Sequence, residues 1–389
     1  MNDRKLSKWD VKKFTMDLLL KHLPLQTLTL FTSVEMLLQI IILAALKHSS
    51  VEQVTFQTPN SRCGKTIREH LRAQAYSQPL LEASFNQSFR ALLPNVFWKK
   101  NKSLPLVVDW MEQCYYGDSS DGKKIRRGKP KQGASRFFVY ATVYTLLKGQ
   151  RFTLAMTFVT PQDTTLSVLK RLHNALLQYH LKAKYYLLDR QFYSVSVMRW
   201  LKSKHLRFII PAIIRGKEGS ATRRLKARKS SGWENYVVKS SKDGNLEVEM
   251  AVVCFNKKRK HRRETFVYAT YGMRNHPLKW IKETYRKRFG IEVSHRQRNE
   301  FQVKTTTRNE EVRYFYMALG FLMRNIWVWL HWNVIGEKQR GRIGKKLYLK
   351  ELTIDYLKTW LRSAIEKEYP IREEILLSEL SLPKRLRSG

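Results

Sequence analysis

Two acids in the chain occupy equivalent positions. Asp109 follows directly on the apolar run Leu104-Pro-Leu-Val-Val108, and Asp189 follows Tyr185-Tyr-Leu-Leu188. Each run is short and apolar, so each reads as a buried strand that ends on a carboxylate. A carboxylate taken out of water is costly unless something cationic or hydrogen-bonding meets it. For either acid alone, a strand-end cap or a pair with Arg190 is the simpler reading. Two acids placed alike favour a shared partner, and a divalent metal such as Mg²⁺ takes carboxylate oxygens as its natural ligands. A pair of such ions can activate an attacking oxygen and stabilise a leaving one on phosphorus. That chemistry calls for a third acid. Glu292 is the best candidate, in the segment Tyr285-Arg-Lys-Arg-Phe-Gly-Ile-Glu292-Val-Ser-His295. Tyr285, Arg288 and Glu292 fall at i, i+3 and i+7, on one face of a predicted helix. From there Arg288 can hold a phosphate or orient the carboxylate, and Tyr285 can do so through its hydroxyl. An ordinary amphipathic helix with an Arg–Glu ion pair has the same spacing. Glu292 and His295 also form an E-x-x-H pair, but no second such pair accompanies it, as a di-iron bundle would require. His173, His205 and His295 offer no Ser-His-Asp or Cys-His arrangement, and Asp118-Ser-Ser-Asp121-Gly reads as a solvated turn.

The elements that must position these residues are legible from periodicity. Residues 1–95 read as a helical domain: Ser33 can cap a run in which Val34, Leu37, Leu38, Ile41 and Ile42 recur at helical spacing. Within it, residues 58–71 place breakers ahead of a short basic helix. A helix-turn-helix reader has that form, and so does a capped surface helix with solvated Lys65, Arg68 and Arg72. In 96–211 the apolar runs 104–108, 137–147, 152–159, 185–188 and 208–210 read as strands, with helices over 166–179 and 194–204. The order β-β-β-α-β-α-β predicts a mixed sheet, three strands joined by hairpins and two added through crossover helices. Residues 212–275 break that rhythm as a β-rich insertion, with strands at 246–255 and 265–271 and the basic run 257–263 as a hairpin tip. Helices return at 278–300 and 310–332 within 276–335, and near 352–366 in a basic helical C-terminal region, 336–389.

Composition narrows the partners. With 73 Lys and Arg against 32 Asp and Glu, the formal net charge of the 389-residue chain is +41. So large an excess points to a polyanion, with nucleic acid favoured over an anionic membrane surface. A hydrophobic fraction of 43% supports ordinary packed cores, so this is not a disordered basic tail. No apolar stretch is long enough to span a bilayer, and the charged N-terminus does not read as a signal peptide. Three scattered cysteines imply neither a disulfide framework nor a zinc site; a reducing cytoplasm is expected, and packing is the default role for Cys114.

The spacing of Tyr285, Arg288 and Glu292 resembles the Y-x2-R-x3-E-x6-K signature of DDE transposases from prokaryotic insertion sequences, and Asp109 and Asp189 sit where that family's first two acids belong. The strings VVDWMEQCYYGD, YYLLDRQFYSVSVMRWL and ETYRKRFGIEVSHRQRNEF carry the likeness, which covers roughly residues 104–332. One position departs: Asn299 stands where the signature has Lys, flanked by Arg296, Arg298 and, further on, Lys304, so that either a neighbouring base takes that DNA contact or the role is absent here. The resemblance implies an RNase H-like α/β core, a mixed five-stranded sheet with flanking helices and the β-rich insertion before the last acid. It also implies that Asp109, Asp189 and Glu292 bind two Mg²⁺ ions, with Mn²⁺ as a substitute, and that Tyr285, Arg288, Arg190, Arg296, Arg298 and Lys304 contact DNA. The implied activity is metal-dependent cleavage at the terminal inverted repeats of an element, then joining of the 3′-hydroxyl ends to target DNA. A homodimer on double-stranded DNA, away from membranes and associated with a prokaryotic nucleoid, completes the expectation. An RNase H-like nuclease without strand transfer and a domesticated DNA-binding protein are the alternatives.

Overall fold

The run after Ser103 does not stop at its acid. In the computed structural model, which describes residues 5–26, 32–74, 77–93, 103–118, 120, 122–147, 150–217, 219, 221–257, 262–290, 296–335 and 352–374, strand β1 (Ser103–Tyr115) continues six residues past Asp109. It continues because β3 (Ala134–Leu147) pairs antiparallel along nearly its whole length, from Leu106↔Thr145 to Tyr115↔Arg136. The parallel neighbour β5 (Lys182–Leu188) is shorter, and its last pair with β1 is Val108↔Leu188. The expectation that Asp109 ends a strand is therefore corrected: it lies mid-strand, at the point where β1 loses its β5 partner.

Three further strands complete the first part of the sheet. Strand β4 (Gln150–Val159) runs antiparallel to the C-terminal half of β3, and β2 (Ile125–Lys131) pairs with the N-terminal end of β3. Strand β6 (Phe208–Pro211) adds parallel to β5. The apolar runs mark five of these strands; β2, whose Ile-Arg-Arg-Gly-Lys-Pro-Lys lacks any apolar alternation, lies at an edge and carries no such mark. Strands β4-β3-β1-β5-β6 form the mixed five-stranded RNase H-like sheet. The insertion does not build a separate sheet. Its strands β7 (Gly232–Ser240), β8 (Gly244–Lys257) and β9 (Arg262–Tyr271) continue the same one, with β9 antiparallel to β6, to make nine strands in all. Lys257 pairs with Arg262 at the end of the β8–β9 hairpin, so the expected basic tip at 258–261 falls outside the described residues.

The chain divides into two units. The larger comprises 77–299 and 307–349, and the smaller comprises 1–76, 300–306 and 350–389. This division differs from a boundary at 95, and β4 shows why. Its outward edge is satisfied by side chains of α5 (Gln78–Ala91) and of the long helix Glu310–Trp329. Asn86 accepts the Met156 N–H at 2.8 Å, Glu82 accepts the Phe158 N–H at 3.0 Å, and Tyr314 donates to the Met156 carbonyl at 2.9 Å. Asn325 accepts the Thr153 N–H at 3.1 Å and donates to the Thr153 carbonyl at 2.8 Å, a side chain acting as an extra strand. Aromatic rings fill the space beneath: Tyr314 stands 4.8 Å from Phe158 and 6.2 Å from Phe85 between ring centroids. Helices α6 (Thr165–Gln178) and α7 (Val195–Ser203) are the crossovers, capped by Thr164 and Ser194 and buried through Leu169, Leu172, Met198 and Leu201.

The smaller unit is helical: α1 (Lys8–His22), α2 (Val34–Leu46), α3 (Val51–Gln57) and α4 (Gly64–Ala73) pack with a helix over Ile354–Glu368. Ser33 caps α2 as expected, accepting the Met36 N–H at 3.1 Å. Apolar on all sides, α2 is buried from Leu37 to Leu46 and forms the core of the unit. No single helix among the described residues is long and apolar enough to cross a membrane. Gly64 lets α4 start against α3, since a Cβ there would lie 2.7 Å from the Glu52 Cα.

Candidate active site

Because β5 stops pairing at Leu188, the next residue on each strand, Asp109 and Asp189, lies at the same sheet edge. Asp109 is largely shielded and Asp189 partly open, with side chains 14% and 37% exposed. Two carboxylates so placed repel, and Arg288 answers them. Its Nη1 lies 3.7 Å from Asp109 Oδ1 and its Nη2 lies 3.3 Å from Asp189 Oδ1.

The segment that carries Arg288 is helical only in part as the spacing predicts. Helix α8 (Ala221–Lys226) lies in the insertion, and α9 (Leu278–Arg286), α10 (Glu310–Trp329) and α11 (Ile354–Glu368) follow. The spacing predicted one helix from 278 to 300, but α9 ends at Arg286 and tightens into a 3₁₀ turn over Lys287–Gly290. Gly290 is a poor helix former, in keeping with that break. Residues 291–295 lie outside the described set, so Glu292 is not placed. Tyr285 and Arg288 nonetheless converge. The Tyr285 hydroxyl donates to the Leu188 carbonyl at 3.3 Å, one residue before Asp189, and Tyr144 donates to the Arg288 carbonyl at 3.2 Å. The Arg288 guanidinium sits 5.4 Å from the Tyr285 ring centroid. Burial would draw the Arg288 pKa down, but Tyr285, Asp189 and Asp109 outweigh it, and the group is held charged. Burial pushes the Tyr285 phenol up, beyond the range in which it ionises near neutrality.

Beside the acids opens a cleft of about 450 Å³ lined by Asp189, Arg190, Lys226, Phe266, Tyr268 and Arg288 among others. Lys226, Phe266 and Tyr268 come from the insertion, which thus walls the site, a placement that leaves no periodicity in the chain. Arg190 is exposed at the cleft and Arg296 is exposed on the following helical turn. Lys304 is exposed but belongs to the smaller unit, where its N–H donates to the Ser49 carbonyl at 3.0 Å. Arg298 corrects an expectation. It is buried, with Nη2 3.1 Å from Met111 Sδ and its guanidinium 5.8 Å from the Phe321 ring, and burial draws its pKa down to about 10. A side chain so enclosed packs the unit and does not face a phosphate. Among the described residues no group of three or more His, Cys, Asp or Glu is gathered to hold a metal.

The two acids at one sheet edge are met by a family profile. The profile described as the transposase DDE domain matches residues 102–326, from the start of β1 to the end of the segment that supplies Asn325. The chain belongs to the DDE transposase family. Among solved structures, the piggyBac transposase in a synaptic complex with hairpin DNA, seen by cryo-electron microscopy, is similar. It has a TM-score of 0.51 at 12% identity, over 97% of this chain and 80% of that one. At that identity the likeness bears on fold, and it agrees with the RNase H-like sheet. No curated protein sequence matches the chain. DDE transposases generally use divalent metals, and DNA is the partner of such an enzyme.

Proposed function

We propose that this transposase binds the terminal inverted repeats of an insertion sequence, cleaves the DNA at the element ends by metal-dependent hydrolysis and joins the 3′-hydroxyl ends to target DNA. The observation that carries the reading is the adjacency of Asp109 and Asp189 at the edge where β5 stops pairing, with Arg288 against both. The donor set fits the metal: two partly shielded carboxylates offer hard oxygens of the kind Mg²⁺ takes. Asp109, Asp189 and Glu292 are the residues that would hold two such ions, Mg²⁺ or Mn²⁺. When bound, the ions supply activation of the attacking oxygen and stabilisation of the leaving one.

The chain's own residues do the rest. Asp109 and Asp189 fix the reaction at the sheet edge, and Tyr285 ties α9 to the end of β5. Arg190 and Arg296 are the exposed cations on which DNA phosphates would rest, with Arg288 beside the acids. Two ends must be cut and joined together, so a homodimer on DNA is part of the proposal. The helices of residues 1–95 are proposed to read the repeats, helped by the insertion and the C-terminal basic segments.

A gel assay with labelled duplex carrying the element's own ends, with Mg²⁺ or with EDTA, tests the reading. Metal-dependent cleavage followed by joining is expected. Asp189→Asn is expected to lower the cleavage rate by about 4 kcal/mol of barrier, roughly a thousandfold, while leaving end binding intact. Cleavage without joining of a pre-cut 3′-hydroxyl end would leave a nuclease in its place. Specific binding with no cleavage in any divalent metal would leave a DNA-binding protein.

A further inference from the structure

Arg288 is 8% exposed, yet its guanidinium reaches both acids from the turn after α9. Its backbone is pinned by Tyr144, and the ring of Tyr285 lies beside it. The pair of carboxylates therefore already has a cation between them. A divalent ion drawn to the same oxygens meets a positive charge a few ångströms away, and like charges at that separation oppose one another strongly where water is scarce. The oxygens of a phosphodiester also match the geometry of the guanidinium, which can bond them in a two-pronged way. Arg190, exposed on the adjacent 3₁₀ turn, offers a neighbouring phosphate contact without touching the acids in the same manner.

We propose that Arg288 competes with divalent ions for the carboxylates of Asp109 and Asp189, and that a DNA phosphate, by taking the guanidinium, makes metal loading conditional on docked DNA. The inference rests on the reading of Asp109 and Asp189 as metal ligands. Arg288 is thus a positioning residue whose two sets of partners exclude each other, and linkage requires that DNA tighten metal binding as much as metal tightens binding of the phosphate.

The test is Mn²⁺ binding to the full-length protein without DNA, followed by the electron paramagnetic resonance signal of free Mn²⁺, with thermal melting alongside. Arg288→Gln is expected to bind Mn²⁺ about tenfold more tightly than the wild type, and Arg288→Lys, which keeps the charge and loses the fork, about threefold. Arg288→Gln should also melt lower without Mn²⁺ and recover more on adding it. Arg190→Gln removes a nearby cation that does not bridge the acids, and its affinity should stay close to wild type. A duplex of the element's own end, closed by a 3′-dideoxynucleotide, should tighten Mn²⁺ binding in the wild type and much less in Arg288→Gln. Should Arg288→Gln fail to fold, the Lys variant decides. Equal affinity in wild type and Arg288 variants, or an equal gain in Arg190→Gln, would overturn the competition while leaving the metal site standing. Absence of Mn²⁺ binding in every variant, or binding unchanged by Asp189→Asn, would overturn the metal site and the competition with it.

Discussion

Asp109 and Asp189 come from separate strands, and what brings them together is a register: each is the first residue beyond the last β1–β5 pair, Val108↔Leu188. The parallel placement of the two acids after apolar runs was readable from the chain, because a short run of Val, Leu and Tyr signals a buried strand whatever lies around it. The helical spacing of Tyr285 and Arg288 put them on one face, and they do converge on the site. Their partners were not readable, since a spacing within α9 says nothing about strands far away in sequence. Arg298 was misjudged for a related reason: in a chain of 73 Lys and Arg, no local pattern distinguishes a cation that packs on Met111 from one that faces solvent. Tyr285 yields a test of its role. With its phenol pushed up by burial and its hydroxyl donating to the Leu188 carbonyl, it ties α9 to β5, and we expect it to act by positioning and not as a nucleophile. Tyr285→Phe is expected to lower stability by about 1 kcal/mol and to keep metal-dependent cleavage without a covalent DNA adduct. Chemical denaturation and a denaturing gel check the two halves.

Among the elements, β4 shows how an exposed sheet edge is closed without another strand. The helices α5 and α10 satisfy it with Asn86, Glu82, Tyr314 and Asn325, all contributed by side chains. Thr153 is 4% exposed, so removing its partner strands two backbone groups out of reach of water. Asn325→Leu is expected to cost about 3 kcal/mol, and Asn325→Asp, which sets a buried carboxylate against the Thr153 carbonyl, at least as much at neutral pH. Urea unfolding of both variants measures the difference. The turn from β4 into α6 carries a second device. Asp163 accepts from Thr160 N–H at 2.8 Å and Ser167 hydroxyl at 2.8 Å, and Arg171 grips it at 2.6 and 2.9 Å. Burial would raise its pKa, but Arg171, Thr160 and Ser167 together hold it well below the ordinary carboxylate value. A carboxyl depressed by folding adds stability that is fully present above its unfolded pKa and is lost as pH falls towards the folded one. Asp163→Asn should therefore narrow the stability gap to wild type as melts are taken from neutral pH down through the acid range, and a gap constant with pH would contradict it. The strands of the insertion are legible in part because 246–255 and 265–271 are rich in β-prone residues, but their joining onto β6 is not, since the edge to which a hairpin docks leaves no periodicity in the chain.

For the molecule as a whole, the division into two units changes how the recognition of element ends should be tested. Cutting at residue 95, where the helical composition gives way to strands, removes α5 and with it Glu82 and Asn86 from β4. The catalytic sheet would then be left with open backbone groups at its edge, and a loss of DNA protection would report misfolding as readily as lost recognition. Deleting residues 1–76 alone has a different fault: α11 packs on α1 and α2 in the smaller unit, so its Leu357, Leu361 and Ile365 would be stripped of their cover. The informative truncation spans residues 77–349, which keeps α5, the nine strands and α10, removes α1 to α4 together with α11, and retains of the smaller unit only the short segment 300–306. That fragment is expected to fold and to retain nonspecific, salt-sensitive DNA binding, because cationic side chains remain on it and counterion release needs no sequence contact. In footprinting it is expected to lose protection of the element's ends while the full chain keeps it. Protection retained by 77–349 would move sequence recognition into the catalytic unit, with the insertion that walls the cleft as the next segment to remove.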